Sequence, residues 1–341
     1  MNERNEVIMS GETMQALMCE THGPPEDLHL RQVPVPEPGE GEIQVRVHAA
    51  GLNFPDSLII QDKYQIKPTL PFAPGGEFAG VVTSVGPGVA HFRPGDRVAA
   101  LTNWGGFAEY AVARADRTTL VPDSMDLETA SIFAFAYGTS HHAFRQRAKL
   151  EEGETVLVLG ASGGVGLAAV EVAKAMGARV IAGASSDEKL AIAREHGADD
   201  LVNYSAQDLK NTVKELAGKR GVDVVYDPVG DALADPAFRT IGWEGRYLVI
   251  GFAGGEIPRL PFNLPLVKGA SIVGVFWGDF VARSPNLHQA NMNELYSLHA
   301  EGKLRPRISA RYDLADGARA IRSIMERKVT GKVVIRCNPP E

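Results

Sequence analysis

The stretch ETVLVLGASGGVGLAAVEVAKAMGA, Glu154 to Ala178, decides the reading of the chain. Thr155 to Leu159 is a continuous apolar run rich in β-branched residues, which predicts a strand buried on both faces. Gly160, Gly163, Gly164 and Gly166 follow at once. Leu167 to Met176 then has helical periodicity and stops at Gly177, a glycine suited to a helix C-terminus. A strand, a glycine turn and a helix bring backbone N–H groups close to any phosphate, and the helix N-terminus adds partial positive charge. The small residues Ala168, Ala169 and Ala173 let the helix lie close to the sheet. The stretch therefore reads as the pyrophosphate site of a dinucleotide cofactor, with Ser162, Gly163, Gly164 and Val165 as the backbone cradle.

The spacing Gly160-x-x-Gly163-x-x-Gly166 is one residue longer than G-x-G-x-x-G. It also contains Gly160-Ala161-Ser162-Gly163-Gly164, a literal G-x-S-x-G, the nucleophile elbow of α/β-hydrolases. One loop thus carries two chemistries, hydride transfer or acyl transfer through Ser162. Context must separate them.

At 341 residues the chain has room for two full-sized cores, and 44% hydrophobic with 23% charged residues is ordinary for a soluble globular protein. A net charge of -7 without a basic block argues against nucleic acid and anionic membrane as partners. The two cysteines, Cys19 and Cys337, lie near opposite termini, which argues against a disulfide framework or a zinc cluster and suits a reducing cytoplasm. No apolar run approaches the ~18 residues of a membrane span, and the start lacks the apolar core of a signal peptide. The expectation is a cytoplasmic chain with a loose tail over residues 1–12.

From Gln15 to about Val121 short alternating runs sit between Pro and Gly clusters, which predicts a small barrel or sandwich. Ile43–Ala49, Phe78–Val85, Arg97–Leu101 and Phe107–Val112 are the clearest strands. From Leu127 helices and strands alternate. Asp126 reads as the N-cap of a helix through Ala136, and a second helix is expected over Thr139–Ala148. Strands at Thr155–Leu159, Arg179–Ala184, Leu201–Asn203, Val222–Tyr226, Tyr247–Ile250 and Ser271–Phe276, with helical crossovers, match a doubly wound parallel sheet. A glycine loop after the first parallel strand fits a dinucleotide site. An elbow serine belongs deeper in a sheet and needs a later acid and histidine, and His288 and His299 fall on predicted helices.

At this point the residues resemble the medium-chain dehydrogenase/reductase superfamily. The landmarks are Gly51-Leu52-Asn53-Phe54-Pro55-Asp56, Pro74-Gly75-Gly76-Glu77-Phe78-Ala79-Gly80, Pro94-Gly95-Asp96-Arg97-Val98, the glycine loop, Val225-Tyr226-Asp227-Pro228-Val229-Gly230 and Thr330-Gly331-Lys332-Val333-Val334. The longer glycine loop and the G-x-N-x-x-D segment are similar to its zinc-free, ζ-crystallin-like NADPH:quinone oxidoreductases. The resemblance implies an α/β fold. A GroES-like β-barrel domain (13–137 and 275–341) would hold substrate, and a Rossmann domain (138–274) would hold the cofactor. Zinc alcohol dehydrogenases carry Cys and His where this chain has Asn53 and Gly76, so no metal ligand set is expected.

The resemblance also assigns residues. Strand two ends in Gly183-Ala184-Ser185-Ser186 without an acid, and Lys189 and Tyr204 match positions that hold a 2′-phosphate, so NADPH is the expected cofactor. Asp187 is accounted for as a first-turn helix acid, with Ser185-x-x-Glu188 as a capping box. Asn53 and Thr139 match nicotinamide-side positions. Tyr64 lies on the loop rimming the family's substrate cleft, where its phenol could orient or protonate a carbonyl. Phe252 and Phe276 follow strands five and six, where aromatics could stack on a flat ligand, and Lys332 could reach the cofactor. The implied activity is hydride transfer from NADPH to a quinone. A reductase of activated α,β-unsaturated carbonyls (enone, acrylic or enoyl-thioester) is the alternative, followed remotely by a hydrolase using Ser162 or a non-catalytic NADPH-binding protein. A homodimer through strand 271–276 is expected.

Overall fold

The computed structural model describes residues 11–338, so residues 1–10 of the expected tail lie outside the described residues. The chain forms two compact units. One comprises residues up to Ile132 together with Ala310–Lys328 and those from Val333; the other is Phe133–Ser309 with Val329–Lys332. The segment 275–309, expected with the first unit, thus groups with the second. Its long helix, Pro285–Ala300, packs on the helix Phe133–His142, with Tyr296 stacked on Phe133 at 5.5 Å.

In the second unit six parallel strands lie in the order Asp200–Asn203, Arg179–Ala184, Thr155–Leu159, Val222–Asp227, Ile241–Val249, Ser271–Gly274. The chain winds outward from Thr155–Leu159 to one edge, then crosses back and winds to the other. The direction reverses between Thr155–Leu159 and Val222–Asp227. Leu157, Leu159, Ile181, Val202 and Val225 are buried in one cluster with Phe238 and Tyr247, as expected for strands covered on both faces. Ala168, Ala169 and Ala173 are buried, which lets the helix Gly164–Ala175 lie close to its sheet. The last strand ends at Gly274 rather than Phe276, although the Val275 N–H still donates to Val249 O at 3.0 Å.

The first unit is built on the eleven-residue strand Glu42–Leu52. It pairs antiparallel with Glu77–Val85, Tyr110–Arg114 and the C-terminal strand Lys332–Arg336, within a seven-stranded sheet. Register shifts at Gln44/Val45 and Val47/Ala49 bend this strand away from a flat ladder. Ile43, Val45, Val47, Phe78, Val82 and Phe107 form its buried face.

The helices between residues 126 and 148 depart from expectation. Asp126 caps as read, with Oδ1 accepting the Thr129 N–H at 2.8 Å, but that helix is only Leu127–Ala130. The next, Phe133–His142, runs straight through Gly138, where a break is expected from sequence, and a π-helical turn over Ala143–Ala148 follows. Gly138 belongs inside the helix because the Trp277 indole lies 2.5 Å from where its Cβ would stand.

The same helix pair buries an unusual group. His288 is 1% exposed, lies edge-on to Trp277 at 5.7 Å, and neither ring nitrogen finds a partner among the described residues. Burial pushes its pKa down to about 4. The folded state therefore holds the neutral ring, while the unfolded chain takes up a proton near 6.5. The stability tied to the neutral ring is complete above 6.5 and is lost as pH falls toward the folded value. Between pH 7 and 5 this one group is expected to cost about 2 kcal/mol. His288→Leu should flatten the pH dependence of urea unfolding in that interval, and a slope equal to wild type would contradict the assignment.

Candidate functional site

The point where strand order reverses is where ligands bind in open parallel sheets, in the crevice beyond the carboxyl ends of the two central strands. Here it lies between the Gly160 turn, which ends Thr155–Leu159, and the turn after Asp227, which ends Val222–Asp227. The register Val156↔Val224 and Val158↔Tyr226 sets the two turns side by side.

The Gly160 turn is shaped for a close backbone approach. Gly160 has φ +58°, and a Cβ on Gly166 would stand 2.2 Å from the Gly160 carbonyl oxygen, so only glycine fits there. The helix Gly164–Ala175 begins at Gly163 with no side-chain cap, so its first N–H groups are not claimed by a capping side chain. The return segment of the chain fixes this loop from outside. The Gly331 N–H donates to Ser162 O at 2.7 Å, and the stem of the buried Lys332 lies 2.8 Å from where a Gly164 Cβ would project. The Lys332 ammonium sits 5.9 Å from the centre of the Phe135 ring, which meets Trp277 edge-on. The helix carrying Thr139 docks beside the loop, with Ser140 Oγ donating to Val165 O at 3.2 Å and lying 3.1 Å from the Tyr226 hydroxyl. Ser162, the loop, Lys332 and the Thr139 helix are therefore brought together. No hydrogen bond joins Ser162 to a histidine among the described residues; His299 Nδ1 is instead 2.9 Å from Leu304 O. The acyl-transfer arrangement is not assembled.

At the end of strand two, Lys189 Nζ donates to Ser185 Oγ at 3.1 Å, and the Tyr204 ring lies 3.5 Å from the Cβ position of Gly183. These three expected residues share the carboxyl end of neighbouring strands. The helix cap there is Ser186, which accepts the Lys189 N–H at 3.4 Å, not Ser185. Ser185 is thereby left to meet the Lys189 ammonium, and Asp187 is bound to the Asn203 amide at 2.8 Å. Phe252 and Phe276 are both on the surface, the latter 56% exposed and immediately before the helix Trp277–Arg283.

In the first unit Asn53 lies between two acids that sequence reading did not single out. Its N–H donates to Asp56 Oδ2 at 2.7 Å, and its amide Nδ2 donates to Glu77 Oε2 at 3.1 Å and to Gly51 O at 3.2 Å. All three side chains are buried. The Asn53-x-x-Asp56 spacing at the start of the helix Phe54–Ile59 is the signal for the first acid; nothing local marks Glu77. Tyr64 is half-buried on the irregular loop that follows, and burial together with the Asp56 charge pushes its phenol pKa above the usual value. At neutral pH it is a proton-bearing hydroxyl.

Residues 39–123 match the alcohol dehydrogenase GroES-like domain family, and residues 164–293 match the zinc-binding dehydrogenase family. The chain is 39% identical to quinone oxidoreductase-like protein 2 of Rattus norvegicus over 87% of its length and 85% of the relative's. The chain belongs to the quinone oxidoreductase-like branch of the medium-chain dehydrogenase/reductase superfamily. A quinone oxidoreductase of Pseudomonas aeruginosa is 35% identical over 92% of this chain and 97% of its own. The Escherichia coli quinone oxidoreductase complexed with NADPH superimposes with a TM-score of 0.88 at 29% identity, covering 95% of this chain and all (100%) of that one. The second matched family is named for zinc binding, and the described residues of this chain include no group of three or more His, Cys, Asp or Glu able to hold a metal.

The Asn53 amide satisfies buried Glu77, so its removal strips a partner from a buried carboxylate. Asn53→Ala is expected to lower the free energy of unfolding by about 1–3 kcal/mol. Equilibrium urea denaturation checks this, and a change within error of zero would mean the buried pair contributes nothing.

Proposed function

We propose that this chain is an NADPH-dependent oxidoreductase that delivers hydride to a quinone without zinc, its second unit holding the cofactor and its first unit the substrate. The observation that carries the reading is the reversal-point crevice. Its glycine loop has no room for a Cβ at Gly166, its helix start is uncapped, and the neighbouring strand ends present Ser185, Lys189 and Tyr204 rather than a free acid. A pyrophosphate fits such backbone N–H groups, and a 2′-phosphate fits the Lys189 ammonium. When bound, the nicotinamide supplies a hydride. The chain's own residues then position and polarise. Ser162, Gly163, Gly164 and Val165 cradle the pyrophosphate, while Thr139, Asn53 and Lys332 serve the nicotinamide side. Phe252 and Phe276 provide apolar faces for a flat ligand, and Tyr64 donates a hydrogen bond to a carbonyl oxygen.

Asn53 and Gly76 stand where the zinc enzymes carry thiolate and imidazole, which supports a reaction in which carbonyl activation falls to hydrogen bonding. Both cysteines are free and buried, in keeping with a reducing cytoplasm. No helix of the described residues is long and apolar enough to cross a membrane. The protonated Tyr64 phenol also favours a second substrate class. Hydride addition to the β-carbon of an enone leaves an enolate that needs a proton, whereas a quinol is stabilised by aromaticity.

A steady-state screen of NADPH oxidation over quinones, enones and acrylic-type substrates is expected to give turnover with quinones. It should be insensitive to chelators, in protein carrying substoichiometric zinc. Turnover confined to enones would replace quinones by the second class, and a stoichiometric zinc requirement would overturn the metal-free reading. Lys189→Ala should weaken NADPH binding by about one to two decades and leave NADH nearly unchanged, since a hydrogen bond to a charged group contributes about 1.5–3 kcal/mol. Equal losses for both cofactors would make Lys189 a structural residue.

We also propose a homodimer through the edge strand Ser271–Gly274. The Val275 N–H bonds to Val249, so by strand alternation the main-chain groups of Ile272 and Gly274 point away from the sheet. Arg147 Nε donates to the Gly274 carbonyl at 3.0 Å, while Ile272 stays 40% exposed and the preceding helix Asn263–Lys268 exposes Leu266 and Val267. An apolar edge of this kind calls for a partner, and antiparallel pairing with a second copy covers both edges by one two-fold operation. Gly274→Pro should convert dimer to monomer or aggregate in sedimentation velocity. Wild type that sediments as monomer at micromolar concentration would refute the interface.

A further inference from the structure

One wall of the reversal-point crevice is the Gly160 turn; the other is held by a buried group that the proposed chemistry does not use. Asp227 is the last residue of Val222–Asp227 and is 2% exposed. Its Oδ1 accepts two backbone N–H groups, from Val229 at 2.7 Å and Gly230 at 2.8 Å. Its Oδ2 accepts the hydroxyl of Tyr247, a buried residue of the adjacent strand Ile241–Val249. Three donors on one carboxylate fix the turn Pro228–Gly230, where Gly230 has φ +67°.

That turn faces two ways. A γ-methyl of Val229 lies 2.9 Å from where a Cβ on Gly160 would stand, so the turn packs directly on the first glycine of the cradle. On its other side Pro228 O and Val229 O accept the N–H groups of Ala253 and Gly254 at 3.1 and 2.7 Å. The Phe252 ring lies 2.9 Å from the Cβ position of Gly230. One carboxylate thus ties the glycine loop to the Phe252 segment, and both belong to the candidate site.

We propose that Asp227, anchored by Tyr247, is a positioning residue of the dinucleotide site, setting the second wall of the crevice against the glycine loop. The inference rests on the dinucleotide reading above. A buried acid placed only for stability would be served as well by any satisfied polar pair within the sheet. This one places Oδ1 on the turn that touches the cradle, while Oδ2 is held by Tyr247 of the adjacent strand.

The test measures NADPH and NADH dissociation constants, by nucleotide fluorescence, beside the melting temperature of each cofactor-free protein. Asp227→Ala is expected to weaken both nucleotides by about tenfold or more, because the two N–H groups that shape the turn lose their acceptor. Asp227→Asn keeps an acceptor oxygen in the same place and should restore affinity to within about threefold of wild type. Tyr247→Phe removes only the anchoring hydroxyl and should weaken both nucleotides by about threefold to tenfold. Should Asp227→Ala fail to fold, Tyr247→Phe carries the decision. Affinity equal to wild type in the folded variants, with only the melting temperature lowered, would overturn the positioning role. Wild-type protein that binds neither nucleotide would instead refute the dinucleotide reading on which it rests.

Discussion

The close contact between the Gly160 carbonyl and the empty side-chain position at Gly166 is the constraint on which the second unit depends. A strand, a turn and a helix can lie that close only if no Cβ intervenes. Every later feature of the crevice uses the space so created. The helix start is left without a side-chain cap, and the Ser162 carbonyl is turned toward Gly331. Val229 closes on Gly160 from the neighbouring strand. Small residues here are not a relaxation of packing but its most demanding form, since van der Waals contact is made by main chain rather than by side chain.

The two units solve different problems with the same means. Among the described residues of the second unit the buried acids Asp227 and Glu171 are each matched by several donors. Glu171, on the glycine-loop helix, accepts from the Tyr137 hydroxyl at 2.6 Å and the Arg305 N–H at 3.0 Å, and lies 2.6 Å from His196 Nδ1. In the first unit, Asp56 and Glu77 are matched by the main chain and the amide of Asn53. Buried carboxylates are tolerable only when so satisfied, and the arrangement gives each site a fixed geometry at the cost of tolerance to substitution.

Much of this was legible in the sequence, because the parallel strands are apolar throughout and the glycine punctuation between them is unambiguous. The strands Thr155–Leu159 and Arg179–Ala184 fall where the apolar runs put them. What was not legible depends on partners distant in the chain. Gly138 reads as a helix break until the Trp277 indole is known to lie on it. Ser185 reads as the helix cap until the Lys189 ammonium is seen to take it and the Lys189 N–H to take Ser186. Glu77 and Asp227 appear only as landmarks of resemblance, since a carboxylate's role is set by which donors converge on it, and local pattern does not encode that. The grouping of segment 275–309 depends on distant partners too: its long helix packs through Tyr296 and His299 on Phe133.

The hydrogen bond from Gly331 to Ser162 has a consequence for how the protein is made. Synthesis runs from the N-terminus, so the strand, glycine turn and helix emerge from the ribosome long before the residues that fasten the turn from outside. Until Gly331 and Lys332 are made, the Ser162 carbonyl lacks that donor and Gly164 lacks the lysine stem that covers it. Between the synthesis of Gly166 and that of Lys332 the nascent chain therefore carries an unfinished cradle. A site whose pieces lie at the middle and end of one chain cannot be inherited as a contiguous block, which ties the reach of any internal splice or shuffle to both segments together.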